Sequence, residues 1–184
     1  MTWEEYINHS TALLSAENPE APYDDVHFLE YTKLNISRMN RWIKTGKLNE
    51  ELVSNIEKIN TTQHWEVIAE PWCGDAAHIT PFLYLISQKN NQIKINFQLR
   101  DSNSEIDSYL TNGSKSIPIL IVRDENNQDI FVWGPRPKNC QEMFLQLKEK
   151  NLPMEEQKVI LQQWYKDDKG VSFQKEWIEM FAKL

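Results

Sequence analysis

Cysteine is scarce in this sequence, and so are long apolar runs and basic clusters. The 184 residues include two cysteines, Cys73 and Cys140, too few for a disulfide framework or an all-cysteine zinc site. The longest apolar run, residues 117–122, is far shorter than the roughly 20 residues that a membrane helix needs. The N-terminus has neither a basic nor an apolar leader region, so we expect no signal peptide.

The charge balance and the missing motifs exclude further classes of protein function. Lys and Arg total 20 against 27 Asp and Glu, and the net charge of −7 argues against a nucleic-acid partner. There is no glycine-rich phosphate loop and no G-x-S-x-G nucleophile motif. No two of the four histidines have metal-ligand spacing on one helix: His9, His27, His64 and His78. We therefore expect no metal, no cofactor and no membrane partner, and a reducing, cytoplasmic location.

The order of apolar patterns predicts an α/β fold. Residues 1 to about 60 have helical spacing, and Thr2 with Glu5 forms a capping-box pattern at the start. The predicted strands are residues 65–69, 93–99, 117–122 and 130–133, with helices after the first strand and after the last, and a short helix at 103–110. A βαβ unit followed by an antiparallel hairpin implies a mixed sheet covered by helices.

Cys73 is the main candidate for chemistry. The turn that follows the first strand places it at the start of a helix, where backbone N–H groups and the helix dipole favour the thiolate. We therefore predict a pKa below the roughly 8.5 of a free thiol and faster alkylation than at Cys140. The alternative is a small buried packing residue, which is the role we expect for Cys140.

Four landmarks carry a family resemblance. Trp72-Cys73-Gly74-Asp75-Ala76 resembles the W-C-G-P-C active-site turn of thioredoxins, and Pro81 resembles the proline that kinks their active-site helix. Ser116-Ile117-Pro118 resembles the segment whose X-Pro bond is cis and faces the catalytic sulfur, and Gly134 resembles the glycine of the substrate groove. The resemblance covers about residues 49–152. It implies a thioredoxin-like domain there, with helical extensions at 1–48 and 153–184 packed on it as one globular unit.

A narrower resemblance comes from the motifs E-P-W-C-G-D-A, L-R-D, S-I-P and W-G-P-R-P. Together they look like those of a group of bacterial thioredoxin-like proteins without a settled biochemical role. Helical extensions on both sides of the thioredoxin core fit that group.

Two departures from the thioredoxin pattern limit the mechanism. Ala76 occupies the position of the second, resolving cysteine, and Val67 occupies that of the buried Asp that serves proton transfer. Without a resolving thiol the chain cannot release its own mixed disulfide. An ordinary dithiol reductase is therefore disfavoured.

The resemblance leaves two functions in view. The first is monothiol thiol–disulfide exchange or isomerisation, in which Cys73 attacks a protein or low-molecular-weight disulfide and an external thiol completes the cycle. The second is a redox-inactive binding module that uses the same groove. Iron–sulfur assembly, as in monothiol glutaredoxins, ranks last because the C-G-F-S motif is missing. The sequence does not indicate the oligomeric state.

The candidate site residues follow from the same resemblance. Besides Cys73, the predicted groove comprises Trp72, Gly74, Ile117, Pro118, Trp133 and Gly134. Trp133 has ordinary strand packing as its alternative. Arg100 could hold an anion or lower the pKa of Cys73, or could pair with Asp101. Arg136 could face the groove or be solvated, and Asp75 could raise the pKa of Cys73 or simply complement the helix dipole.

Overall fold

The computed structural model describes residues 1–181. Its helices are α1 (Trp3–Leu13), α2 (Val26–Thr45), α3 (Glu50–Glu57), α4 (Gly74–Ser87), α5 (Lys138–Glu149), α6 (Met154–Asp168) and α7 (Val171–Phe181). Its strands are β1 (Gln63–Ala69), β2 (Ile93–Leu99), β3 (Ile119–Arg123) and β4 (Asp129–Trp133). This order agrees with the order that the apolar patterns predict. The last three residues of the predicted C-terminal extension lie outside the described residues.

The strands form one mixed sheet in the order β2-β1-β3-β4. β1 pairs parallel with β2, and β3 pairs antiparallel with both β1 and β4. The βαβ unit, the antiparallel hairpin and the flanking helices confirm the predicted fold class. Because Ala69 and Leu99 are register partners at the ends of the two parallel strands, the turns that follow both strands emerge at one edge of the sheet.

Local signals determine where several helices begin. Thr2 and Glu5 form a reciprocal capping box at α1, and the Asn49 side chain caps α3. The short helix predicted at 103–110 is shorter in the structure, where only Ile106–Ser108 forms a 3-10 helix. Asn103 has a φ of 57°, in the left-handed region, which no residue of an α-helix adopts.

The terminal helices pack on the sheet through aromatic contacts. The ring of Trp3 in α1 lies 5.5 Å from that of Phe97 in β2. The ring of Trp177 in α7 lies 5.3 Å from Trp65 in β1 and 6.3 Å from Trp133 in β4. The helices outside the thioredoxin-like segment therefore share its apolar core. The bounds of that segment stay a prediction.

Candidate functional site

Cys73 is the N-cap residue of α4, directly after the turn that leaves β1. Its Sγ accepts a hydrogen bond from the Ala76 N–H at 3.5 Å and donates one to the Ile117 carbonyl, also at 3.5 Å. The Ile117-Pro118 peptide bond is cis, as the resemblance implies. The thiol therefore lies between the start of a helix and the cis-proline segment.

Burial outweighs the helix start in controlling the Cys73 thiol. Cys73 is only 7% exposed, and burial, followed by the charge of Asp75, raises its pKa to about 12. The Ala76 N–H and the Arg136 guanidinium act in the opposite direction but have the smaller effect. The prediction of a pKa below that of a free thiol was wrong, because taking the sulfur out of water disfavours the charged form. At neutral pH the resting group is a thiol.

Asp75 does more than complement the dipole of α4. Its carboxylate lies 2.6 Å from the Arg136 guanidinium and accepts a hydrogen bond from the Tyr165 hydroxyl at 2.9 Å. Both ionic groups are buried, so the pair holds two charges away from water. Both roles weighed for Asp75 apply, because it lies in the first turn of α4 and its charge raises the pKa of Cys73.

Arg136 is a packed residue and not a solvated one. Its side chain is 13% exposed, its guanidinium carbon lies 4.1 Å from the Phe144 ring centroid, and it donates to Gln141 at 2.9 Å. Its position follows from β4, which ends just before the Gly134–Pro137 loop and brings that loop towards the start of α4.

Arg100 follows β2 at the sheet edge that carries Cys73, and it pairs with its neighbour Asp101. Its Nε and Nη2 donate to the two carboxylate oxygens of Asp101 at 2.9 and 2.7 Å. The guanidinium also stacks on the Trp72 ring at 4.8 Å. Of the two alternatives, the Arg100–Asp101 contact is the one observed.

A cavity of about 1280 Å³ opens beside Cys73. Its walls come from the turn after β1, the segment before β3, and the helices α2 and α6. Of the predicted groove residues, Trp72, Cys73, Gly74 and Ile117 line it, together with Asp75, Arg100 and Arg136. The helices α2 and α6 thus lie over the edge of the sheet that carries the cysteine.

Pro118, Trp133 and Gly134 are not among the residues that line this cavity, so a groove that includes them stays a prediction. Trp133 is buried against Trp177 of α7, and its indole N–H donates to Glu176 at 3.0 Å. This is the strand-packing alternative. Gly134 packs against the backbone of Pro118, where an added Cβ would overlap the Pro118 carbonyl oxygen.

Sequence reasoning missed the residues that α2 and α6 bring to the cavity. They include Phe28, Tyr31, Arg38, Lys158 and Gln162. Helical periodicity identifies an apolar face of each helix but does not show which part of the sheet that face will cover. No signal in the sequence alone places these side chains next to Cys73.

His78 lies five residues after Cys73, about 140° around α4, and contacts α2 and α6. Its Nδ1 accepts from the Trp42 indole at 2.9 Å, its Nε2 bonds Gln162 at 2.8 Å, and its ring stacks on Tyr165 at 4.5 Å. Burial lowers the pKa of His78 to about 4, so the imidazole is neutral and holds α6 against α4.

Two other kinds of site are absent from the described part of the chain. Within residues 1–181, no group of three or more His, Cys, Asp or Glu side chains is arranged to hold a metal ion. In the same part of the chain, no helix has the length and apolar character to cross a membrane.

The turn between β3 and β4 is held by Asp124. Its side chain accepts hydrogen bonds from the N–H groups of Asn126 and Gln128.

Comparison with known proteins locates the chain among thioredoxin folds. A family model described as Thioredoxin matches residues 22–157. A Pseudomonas aeruginosa protein of unknown function has 11% identity and a TM-score of 0.58, covering 98% of this chain and 91% of that one. An HIV epitope-scaffold has 13% identity and a TM-score of 0.58, covering 100% and 99%. At such identities these likenesses show the fold alone, and no curated protein matches the sequence.

Proposed function

The chain belongs to the thioredoxin family, and from that premise we propose that it carries out thiol–disulfide exchange through the single cysteine Cys73. The observation that carries the proposal is the position of the Cys73 sulfur. It caps α4, hydrogen-bonds the carbonyl before the cis Pro118 and lines the cavity.

The narrower resemblance to bacterial thioredoxin-like proteins and the cytoplasmic location belong to the same proposal. So do the domain bounds, in which the extensions at 1–48 and 153–184 flank the exchange site.

The proposed exchange has two steps. The Cys73 thiol loses its proton, and the thiolate attacks one sulfur of a disulfide that has entered the cavity. A mixed disulfide with Cys73 forms, and the other sulfur leaves as a thiolate that takes up a proton. A low-molecular-weight thiol then attacks the mixed disulfide, releases Cys73 as a thiol and is itself oxidised. The external thiol is needed because Ala76 cannot resolve the intermediate.

The raised pKa of Cys73 governs the rate of the first step. With a pKa of about 12, only a small fraction of Cys73 is thiolate at neutral pH. We expect the exchange rate to rise about tenfold per pH unit between pH 7 and 10, since the thiolate fraction rises by that factor well below the pKa.

A trapping experiment tests this function. The protein, incubated with cell extract under mild oxidation, should be recovered in mixed disulfides at Cys73 that non-reducing mass spectrometry detects and a reductant releases. Cys73→Ser should abolish these adducts and Cys140→Ser should retain them. Finding no adducts at Cys73, or equal amounts at both cysteines, would reject the exchange function.

A second candidate, a redox-inactive binding module, is favoured by a specific set of observations. Ala76 and the fully buried Val67 remove the resolving thiol and its acid–base partner, and Cys73 is a neutral thiol at rest. Under this function Cys73→Ser would retain partner binding and cellular role. Loss of both in a folded Cys73→Ser protein would reject the binding module.

A further inference from the structure

One cation of the cavity has no carboxylate partner. Four basic side chains of the lining are ion-paired at 2.6 to 2.8 Å: Arg100 with Asp101, Lys115 with Asp107, Arg136 with Asp75 and Lys158 with Glu155. Within residues 1–181, Arg38 has no carboxylate oxygen within 4 Å, and its Nη1 donates only to the amide oxygen of Asn35, at 2.6 Å. Its charge is therefore not compensated by the protein.

The surroundings of Arg38 disfavour an uncompensated charge. Burial, and then the neighbouring Arg41, lower the pKa of Arg38. A guanidinium stays protonated at neutral pH in a protein, so Arg38 remains a cation in a half-buried position. An anion beside it would replace the solvation that the side chain has lost.

Two more donors of the same cavity have no acceptor. The indole Nε1 of Trp72 and the Nε of Arg136 are buried and bond no acceptor in the described part of the chain. A buried donor without a partner costs free energy, but solvent does not reach either atom, so a ligand would bond them only after the side chains move. These donors and Arg38 come from three separate segments that converge on one cavity.

The remaining walls fit a short aliphatic chain. Phe28 packs edge-on against Trp72 at 5.4 Å, and Ile117, Leu34 and Leu161 also line the cavity. A ligand with an acidic end and an apolar body would satisfy both kinds of wall. The protein as a whole has a net charge of −7, so an anionic ligand is favoured by this local arrangement and not by the overall field.

We propose that the cavity beside Cys73 binds a low-molecular-weight disulfide that carries a carboxylate, with Arg38 binding the carboxylate while a disulfide sulfur lies at Cys73. The disulfide part of this assignment rests on the proposed exchange function. The carboxylate site does not, because Arg38 would bind a carboxylate whether or not Cys73 reacts.

Binding of suberate tests the carboxylate site without any redox step. Suberate is 3,3′-dithiodipropionate with both sulfurs replaced by methylene groups, and its affinity can be measured by calorimetry. We expect saturable binding to the wild type and to Cys73→Ala, and a loss of about tenfold or more in Arg38→Gln, since a charge-assisted hydrogen bond is lost. Arg38→Lys should retain most of the affinity, and Lys33→Gln, an exposed residue of the same helix outside the cavity, should retain all of it.

Three results would overturn the carboxylate site. They are no binding of suberate to the wild type, equal affinity in Arg38→Gln, or tighter binding of the dication 1,6-diaminohexane. Circular dichroism of each variant verifies that a loss of affinity is not a loss of fold.

Adduct formation tests the disulfide part separately. 3,3′-Dithiodipropionate should modify Cys73 faster than the cationic cystamine, although the net charge of the protein favours cystamine, and Arg38→Gln should reverse this order. If suberate binds but neither disulfide modifies Cys73, the exchange function is wrong and the carboxylate site stands. If both disulfides react but cystamine reacts faster with the wild type, the substrate class is wrong and the exchange function stands.

Discussion

The carboxylate of Asp75 lies 2.6 Å from the guanidinium of Arg136, and the two charges act on the Cys73 thiol in opposite directions. Asp75 raises the pKa of Cys73, and Arg136 lowers it by less. The buried pair therefore holds the thiol in its protonated form more strongly than burial alone would. Any change that removes the negative charge should favour the thiolate.

Asp75→Asn should make Cys73 more reactive and the protein less stable. The neutral amide leaves Arg136 as the dominant charge near the sulfur, so the midpoint of the pH profile of iodoacetamide labelling should fall by about one pH unit or more. The same change leaves a buried guanidinium without its carboxylate, which should cost about 3 to 5 kcal/mol in the free energy of unfolding. Urea denaturation measures that cost.

Two variants separate this charge effect from general loosening. Glu125→Gln removes a carboxylate from an exposed hairpin turn and should leave both the labelling profile and the stability unchanged. Asp75→Asn combined with Arg136→Gln removes both charges, so its labelling midpoint should lie between those of the wild type and Asp75→Asn. An equal midpoint in the single and double variants would indicate that exposure of Cys73, and not charge, controls its pKa.

Both cysteines should make the protein less stable at alkaline pH. Burial raises the pKa of Cys73 and of Cys140 to about 12 in the folded chain, whereas an unfolded thiol ionises near about 8.5. The unfolded chain therefore loses these protons first. The stability that the two buried, protonated thiols contribute is complete below pH 8.5 and is lost as the pH rises towards 12.

The size of this effect is measurable between pH 8 and 9.5. Each cysteine should lower the free energy of unfolding by about 1 kcal/mol over that interval. Urea denaturation of the wild type is compared with that of the Cys73→Ala, Cys140→Ala double variant. Because the other titrating groups are the same in both proteins, only the wild type should show the fall in the free energy of unfolding that the cysteines cause. Parallel pH dependences of the two proteins would contradict the raised pKa values.

The sequence predicted well the features that local signals control. The Thr2 capping box, the order of helices and strands along the chain and the cis bond at Pro118 depend on residues close together in the chain or on a family motif. The position of Cys73 at the start of α4 belongs to the same class, because a turn after a strand determines it.

The features that failed depend on residues far away in the sequence. The pKa of Cys73 is set mainly by its burial, and the sequence does not show that α2 and α6 pack beside it. Trp133 has the alternation of a strand residue, but only the position of α7 decides that Trp177 covers it. Arg38 carries no motif at all, and its place in the cavity follows from how α2 packs.

Gly74→Ala should cost little, and its cost should depend on Gln162. An added Cβ at Gly74 would lie 2.7 Å from the Gln162 amide nitrogen, the far end of a flexible side chain that also bonds His78. We expect a loss of about 1 kcal/mol in the free energy of unfolding in the wild type. In a Gln162→Ala background the same change should be neutral or stabilising, because Ala is favoured over Gly in a helix by about 0.5 to 1 kcal/mol. Urea denaturation of the wild type, the two single variants and the double variant measures this cycle. If the costs of Gly74→Ala and Gln162→Ala simply add, the contact between the two side chains is contradicted.

Gly134→Ala should be far more damaging than the same change at another glycine with positive φ. Gly134 has a φ of 134°, and an added Cβ would overlap the backbone carbonyl oxygen of Pro118, which cannot move aside as a side chain end can. Gly113 also has a positive φ, 79°, but nothing lies within 4 Å of its added Cβ. Backbone conformation alone should cost about 1 to 2 kcal/mol at Gly113, whereas overlap with the backbone of Pro118 should raise the cost at Gly134 above about 4 kcal/mol.

The alkylation rate of Cys73 gives a second measurement. Because Pro118 follows the carbonyl that accepts from Cys73, Gly134→Ala should also expose the thiol and speed its alkylation, and Gly113→Ala should not. Equal stabilities and equal alkylation rates in the two variants would show that the contact between Gly134 and Pro118 does not hold the Cys73 site in place.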